Sequence, residues 1–487
     1  MITNELLLGF VVCVPFFGSF LLPLFGRLSE NLRNWLALLM VLVALICTAA
    51  LVPAVLGGET VTLQLASINI FHADKLAVFM ALVSTLVGSL IVLYSFGYIR
   101  HYEHRNEYYF MVVLFLASMM GLVFSRNLIF LYLFWEITAI ACWRLIGFFR
   151  EKAYVIKADK AFLVTVFGAL MMLIGFIVVY DQTGSFDLGV IKASTAGQPI
   201  SNLAVLLILF GILSKSATLP LHTWLPDAGV APSPVTALLH AAVLVKIGVY
   251  VYARLFVASF TVDPVWHTIV PIIAATSALV SAGAALIDTD LKRIIAFSTI
   301  SQIGFIFLGL SIGNEVGIAG GLLYILMHGI AKGGLFLCAG IVEQNTHVKD
   351  ITKMGGLIST MPITAVSFLL CAFSVMGIPP FGGFFSKFMV INGAVNAGQI
   401  AIAMTFIVGA FLTMIYLFRT FTMVFMGESR FSGSGSSTAQ VLHREGSTVM
   451  VFSVAVLAVL AVASGVLFQY PSEFVQSTIQ EMLGMVK

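Results

Sequence analysis

The feature that most restricts this chain is the succession of long apolar runs that fills it from end to end. A membrane-crossing helix needs roughly 20 mainly apolar residues. About 14 such runs centre near residues 15, 45, 87, 115, 138, 170, 210, 245, 276, 303, 329, 376, 412 and 458. Composition agrees: 60% of the 487 residues are hydrophobic and 10% charged, against about 25% charged in soluble domains. The expected fold class is an all-α polytopic membrane protein whose solvent is the lipid bilayer, with no room for a soluble domain of any size. A net charge of only +3, dispersed along the chain, gives no footing for nucleic acid. Cys13, Cys47, Cys142, Cys338 and Cys371 each stand alone in apolar sequence, so neither an iron–sulfur site nor a structural zinc is signalled. The opening "MITNELLLGFVVCVPFFGSF" carries Glu5 and no basic leader region. It reads as the first membrane helix rather than a cleaved signal peptide.

Between the runs, residues 60–68 alternate polar and apolar, which suits a small β-hairpin outside the bilayer. Residues 427–446 are Gly/Ser-rich and are expected to be mobile. Basic residues set orientation, since Lys and Arg concentrate in cytoplasmic loops. With the N-terminus outside, the inside loops hold Arg27, Arg33, Arg100, Arg105, Arg150, Lys152, Lys157, Lys292, Arg293, Lys349, Lys353, Arg430 and Arg444. The outside loops hold only Arg126, Lys192 and Arg254, with Lys487 at the tail. The asymmetry predicts both termini on the periplasmic or exterior side, and the chain is expected in the cell's inner (cytoplasmic) membrane.

Some charges lie where lipid-depth sequence should be neutral. Glu136 sits in "RNLIFLYLFWEITAIACWRLIGFF", Lys215 in "LAVLLILFGILSKSATLP", Lys246 in "LLHAAVLVKIGVYVY", Lys332 in "YILMHGIAKGGLFLCAG" and Lys387 in "MGIPPFGGFFSKFMVING". Each charge at mid-span costs roughly 2.5–3.5 kcal/mol on insertion scales, so the set costs on the order of 10 kcal/mol before pairing. A bundle tolerates this only if the charges meet in a polar interior. His328 and Lys332, four apart, share one helix face. His240 and Lys246 are roughly 120° apart in a regular helix and come together only if that helix is distorted, as by a π-bulge. Lys246 and Lys387 could instead snorkel to a nearby interface. Glu136 is too short to do so. Asp74 and Lys75 read as a helix cap and boundary anchor, and His222 as either a loop histidine or a member of the polar path.

Two spans are broken. Pro220 and Pro226 interrupt one, and Pro379–Pro380 with Gly382–Gly383 interrupt the other. A break frees backbone groups that lipid cannot satisfy, so it must be buried in protein or line a wet cavity. Two broken helices in corresponding positions mark an inverted-repeat transporter with its ion path near the midplane. Each break has a lysine beside it, Lys215 before one and Lys387 after the other. Burial disfavours the charged amine and a neighbouring carboxylate favours it. A lysine whose distance from Glu136 changes can therefore take up and release a proton.

Five stretches in order, "LFWEITAIACWRLIGFF", "KSATLPLHTWLPDAGVAPSPVTALLHAAVLVKIGVY", "DTDLKRIIAFSTISQIGF", "YILMHGIAKGGLFLCAG" and "MGIPPFGGFFSKF", resemble the antiporter-like subunits of respiratory complex I. The same family includes Mrp-type cation/proton antiporter subunits and the membrane arms of energy-converting [NiFe] hydrogenases. The resemblance covers roughly residues 70–425. It implies 14 transmembrane helices with two inverted five-helix repeats, each containing a broken helix. Residues 1–100 would form helices 1–3, 101–260 the first repeat (helices 4–8), 261–427 the second (helices 9–13), and 428–487 a flexible loop and the last helix. It also implies that Glu136 pairs with Lys215, and that Lys246, His328, Lys332 and Lys387 continue a proton path; some relatives use glutamate at the position of Lys387. His222, His240 and Arg144 are possible additions. Relatives usually have a small or apolar residue at position 144. Arg144 lies about 80° around the helix from Glu136 and roughly 12 Å along it, so it either joins Arg150 at the inside boundary or turns inward.

The resemblance implies a proton-translocating membrane subunit of a redox-driven complex, complex I-like or hydrogenase-type. Its partners would be other membrane subunits and, through them, a redox peripheral arm that holds the cofactors; none is expected in this chain. The chain ends soon after the last span, without the long lateral helix of the far-end complex I subunit, so a middle, Mrp-type or hydrogenase-arm subunit is expected. The alternatives are an Mrp-type Na⁺/H⁺ antiporter subunit, for which no carboxylate pair at depth offers a Na⁺ site, and a non-pumping scaffold, which would gain nothing from midplane charges.

Overall fold

The computed structural model describes residues 3–65, 68–428, 430 and 445–484. Most of the Gly/Ser-rich stretch between residues 427 and 446 lies outside the described residues. Helices α1 (Asn4–Leu28) and α2 (Glu30–Leu56) pack on each other at the N-terminal edge. A two-stranded antiparallel hairpin follows, β1 (Val61–Leu65) and β2 (Ile68–Ala73), with Val61 opposite Ala73. This is the hairpin expected from the alternation, a small exception in a helical chain. Next come α3 (Lys75–Tyr98), α4 (Arg105–Phe124), α5 (Leu128–Ile146), α6 (Lys152–Thr183) and the short α7 (Leu188–Ser194). Asp74 caps α3, accepting from the Ala77 N–H at 2.9 Å, and Asn127 caps α5 in the same way through Ile129. Such caps satisfy helix N–H groups that have no partner within the helix.

The first broken region begins with α8 (Asn202–Lys215), whose last residue is the lysine. The chain then turns through residues 216–223 into α9 (Trp224–Asp227), α10 (Ser233–Ala237) and, after a π-helical turn at Leu238–Ala242, α11 (Leu244–Tyr252). A second π turn, Ala253–Val257, ends this stretch. Next come α12 (Trp266–Ile287), α13 (Leu291–Ser311) and the long α14 (Glu315–Thr346). The second broken region pairs α15 (Pro362–Met376) with α16 (Gly382–Asn396). The helices α17 (Ile400–Phe425), α18 (Thr448–Val466) and α19 (Gln469–Met482) complete the order.

Among the described residues, twelve helices are long and apolar enough to cross a membrane, and each falls on one of the runs counted in the sequence. The runs near residues 210 and 376 correspond instead to the shorter apolar helices α8 and α15. Both are short because the backbone stops at the break. At the second, Gly377 takes φ +80° as the C-cap of α15, a conformation that favours glycine.

Burial is uneven, and the unevenness places the site. In the most apolar stretch of α1 only 33% of residues are buried, whereas the figure is 94% in α14 and 100% in the span Ser233–Val257. Helix α14 packs against α13, α15, α16, α18, α3 and α10. A helix enclosed this fully presents every face to protein. Lys246, His328 and Lys332 lie on these two enclosed spans.

Small residues permit the close approach at the second break. A methyl group on Gly383 would overlap the Ser374 carbonyl oxygen, and one on Gly465 would overlap the Pro380 carbonyl oxygen. Both obstacles are backbone. Gly383→Ala should therefore lower the amount of assembled subunit, with an overpacking penalty of about 1–3 kcal/mol or more. Quantitative immunoblotting of membranes measures it; wild-type levels would show that α15 and α16 can separate freely.

Candidate functional site: a buried line of lysine and histidine

Lys215 is fully buried at the end of α8. Its Nζ donates to the Trp135 carbonyl oxygen at 3.0 Å and lies 5.1 Å from the centroid of the Trp135 ring. Glu136, the next residue on α5, is half-buried, and its Oε1 is buried with no hydrogen-bond partner among the described residues. Tyr132, one turn earlier, faces the same carboxyl group. Glu136 and Lys215 interact through their charges but form no ion pair within 4.0 Å among the described residues. The direct pairing implied by the resemblance is replaced by an amine resting on the neighbouring carbonyl. Such an amine has a site to leave and a carboxylate to approach.

At the next position Lys246 Nζ and His328 Nδ1 share a hydrogen bond of 2.5 Å between α11 and α14. Both side chains are fully buried. His328 Nε2 is buried without a hydrogen-bond partner among the described residues. One turn along α14, Lys332 Nζ donates to the Ser298 hydroxyl at 2.6 Å and the Ile295 carbonyl at 3.1 Å, both on α13. His240 sits in the π turn, its ring against Phe336 with centroids 4.4 Å apart. Neither of its ring nitrogens has a partner among the described residues, and its charge environment is set by Lys332 and Lys246. The distortion needed to bring His240 toward Lys246 is thus present in the backbone.

Lys387 closes the line. Its Nζ reaches back across the second break and donates to the Val375 carbonyl at 2.6 Å, near the end of α15. The amine also lies 4.6 Å from the Phe305 ring centroid and 5.5 Å from that of Tyr324. A carbonyl near the C-terminus of a helix is a favourable seat for a cation. Lys387 is 4% exposed, so it does not snorkel; nor does Lys246.

The remaining candidates lie elsewhere. Arg144 is held by Glu107, which also accepts from Arg150 at 2.6 Å, so Arg144 serves the boundary cluster and not Glu136. His222 lies half-exposed in the turn after α8, its Nδ1 3.3 Å from the Pro220 carbonyl.

Several functional-looking groups escaped the sequence reading. Arg254, assigned above to an outside loop, lies in the second π turn, 7% exposed. Its guanidinium bonds both carboxylate oxygens of Asp74, with Nη2 to Oδ1 at 2.7 Å, and its Nε donates to the Tyr250 hydroxyl at 3.0 Å. Burial alone would push the Asp74 carboxyl up. The charge and hydrogen bonds of Arg254, helped by His72 and the Ala77 N–H, outweigh it and hold the carboxyl well below the usual range. His72 lies 3.8 Å from Asp74; burial lowers its imidazole by more than Asp74 restores. His72, Asp74 and Arg254 line a cavity of about 210 Å³ with Arg126, Lys192 and Glu481. At the opposite end of the bundle, Lys292, assigned to an inside loop, is 5% exposed and paired with Glu343. Side-chain pairs so distant in sequence leave no local signal.

Among the described residues, no group of three or more His, Cys, Asp or Glu side chains gathers as a metal site. The site consists of protonatable nitrogens and oxygens, buried, on adjoining helices, with unpartnered polar atoms between them. Fold and site together define a polytopic membrane protein built around an interior line of buried lysine and histidine side chains.

Comparison with known proteins narrows this class. The family described as NADH:quinone oxidoreductase/Mrp antiporter, TM, matches residues 125–413. The family described as NADH-ubiquinone oxidoreductase (complex I), chain 5 N-terminus, matches residues 65–109. Over 508 aligned positions the chain is 33% identical to the Na⁺/H⁺ antiporter subunit A1 of Staphylococcus haemolyticus, and 31% identical to that of Staphylococcus aureus. Each alignment covers 97% of this chain, which spans about 62% of the length of these curated relatives. A chain of the Mrp complex from Dietzia sp. superposes with a TM-score of 0.87 at 23% identity, covering 100% of this chain and 98% of that one. A chain of the membrane-bound sulfane sulfur reductase, an archaeal respiratory membrane complex, gives 0.88 at 23% identity, covering 98% and 97%. The chain belongs to the NADH:quinone oxidoreductase/Mrp antiporter family of membrane subunits.

Proposed function

We propose that this chain is an ion-translocating subunit of a multi-subunit membrane complex, and that protons move along Glu136, Lys215, Lys246, His328, Lys332 and Lys387. The observation that carries the reading is the 2.5 Å Lys246–His328 bond between two fully enclosed spans. Either nitrogen can hold the shared proton, and it joins a lysine of the first half to the histidine–lysine pair of the second. His240 stands beside this junction. Burying several amines in a bilayer is costly, and such residues mark ion paths, which argues against a passive scaffold.

In this reading residues 101–260 and 261–427 work as two related halves in an inner membrane, with both termini on the exterior face. The ion that drives the protons belongs to the assembly. The names of the curated relatives favour exchange against Na⁺, an Mrp-type cation/proton antiporter. A redox-driven complex is the second reading; its cofactors would reside in partner subunits, and this chain would only move ions.

One experiment tests both. Everted vesicles containing the assembled complex receive a Na⁺ pulse with no electron donor, and a pH-sensitive dye reports the interior. A Na⁺-dependent pH change that is lost in Lys246→Ala supports the antiporter form. A pH change only upon adding an electron donor supports the redox form. Proton movement equal in wild type and Lys246→Ala would remove the proton path from this chain.

A further inference from the structure

A second polar system runs between α13, α14 and α17, beside the proposed path. It begins at Lys332, whose Nζ donates to the Ser298 hydroxyl at 2.6 Å. The Tyr416 hydroxyl lies 2.7 Å from Ser298 Oγ and 3.3 Å from Thr413 Oγ1. Gln302 Nε2 donates to Thr413 Oγ1 at 3.1 Å, and Gln302 Oε1 accepts from the Tyr324 hydroxyl at 2.6 Å. The Tyr324 ring lies under the Lys387 amine. All five intervening side chains are buried. Lys332 and the surroundings of Lys387 are thus joined by an unbroken series of fixed hydrogen bonds.

Hydrogen-bond direction decides whether such a series conducts. Tyr416 donates to Ser298 here, but both are hydroxyls that can turn and exchange donor and acceptor roles, so a proton leaving Lys332 can pass to Ser298 and on to Tyr416. Thr413 ends the run. Its own proton is committed to the Gly409 carbonyl at 2.7 Å, a backbone acceptor that passes nothing onward. Its lone pairs face donors from both sides, Tyr416 and the Gln302 amide. The amide nitrogen has only donors to offer, so it takes no proton from Thr413. From the other side, a proton given by Tyr324 to Gln302 Oε1 could release one from Nε2 onto Thr413, with the same dead end, or onto Ser301 Oγ at 3.5 Å, which lies off the series.

We propose that Gln302 and Thr413 form a proton-insulating junction, which keeps Lys332 and the Lys387 region from equilibrating through fixed side chains. Transfer between them then requires water or side-chain motion, which a driving partner can control. Gln302 is a positioning residue that blocks a shortcut. The inference rests on the proton path proposed above, and its test separates the two.

The complete complex is reconstituted in liposomes with a trapped pH indicator. Passive decay of an imposed pH gradient and driven proton movement are both recorded. Gln302→Glu, equal in shape, puts a carboxyl group that can accept and release a proton at the junction. It should raise the passive leak several-fold, and adding Lys332→Ala should restore tightness. Gln302→Leu should leave leak and driven movement near wild type. Tyr324→Phe, which removes only a hydroxyl, should do the same and serves if the leucine variant fails to assemble. Loss of driven movement in assembled Gln302→Leu or Tyr324→Phe would make the series a conductor and overturn the proposal. An unchanged leak in Gln302→Glu would overturn it as well. If Lys332→Ala alone leaves driven movement intact, the underlying proton path fails instead.

Discussion

Lys215→Ala should leave the subunit assembled in its membrane and reduce driven proton movement by about a hundredfold or more, the lower range of what a positioned proton-transfer group contributes. Assembly should survive because, among the described residues, the amine makes one hydrogen bond, to a carbonyl that also accepts from Thr138 at 2.6 Å. Removing a buried charge also relieves its desolvation cost. Glu136→Gln should behave alike, since it keeps the shape of the side chain and removes its charge. Lys215→Arg is the sharper variant. It retains positive charge, but a guanidinium does not release its proton in proteins. It should therefore be as inactive as alanine if the lysine passes protons, and active if the lysine only supplies charge. Proton movement in reconstituted complex, normalised to assembled subunit, measures all three.

Asp74→Asn should be the most destabilising single change outside the proton path. It leaves the Arg254 guanidinium, whose side chain is 8% exposed, without its anion. Removing one partner of a buried pair costs about 3–5 kcal/mol. Arg254→Leu should cost a similar amount, because Asp74 is then buried with little beyond the Ala77 N–H and His72. The double variant should be milder than the two single penalties combined, since no orphan charge remains. Thermal unfolding in detergent measures each. The sign with pH follows from the direction of the shift. The carboxyl is held below its ordinary value of about 3.9, so its stabilising contribution is complete above that value. It is lost only as pH falls through the depressed folded value. The Asp74→Asn penalty should therefore be constant across neutral pH; a penalty that faded between mildly acidic and neutral pH would contradict the pairing.

The fold and the members of the line were legible because hydropathy and charge are local properties. Lys215, Lys246, Lys332 and Lys387 announce themselves as amines in apolar runs, and the prolines announce the breaks. The partners were not legible. Lys246 finds a histidine 82 positions away, and Tyr416 finds a serine 118 positions away. Hydroxyl residues inside apolar helices mostly bond the carbonyl one turn back, as Thr85, Ser89 and Ser118 do here. In sequence Ser298 looks no different from these. Arg254 and Lys292 were misassigned for a related reason. A charge near the end of a run reads as a loop residue unless its buried counter-ion is known, and Asp74 and Glu343 lie in other elements. The resemblance supplied the pairing of Glu136 with Lys215, and there the local geometry differs: the amine rests on Trp135.

The central claim is that the buried charges form one hydrated line. The atoms along it with no hydrogen-bond partner among the described residues, Glu136 Oε1, Ser216 Oγ, Thr218 Oγ1, both nitrogens of His240, His328 Nε2 and Ser374 Oγ, are where buried water should bind, since such groups are rarely left unsatisfied. A cryo-electron microscopy map of the complex in lipid, at a resolution that shows ordered water, tests this directly. Water density bridging Glu136 to Lys215 and continuing past His240 and His328 toward Lys387 is the predicted result. Apolar packing with no water between Lys215 and His240, or between His328 and Lys387, would contradict it.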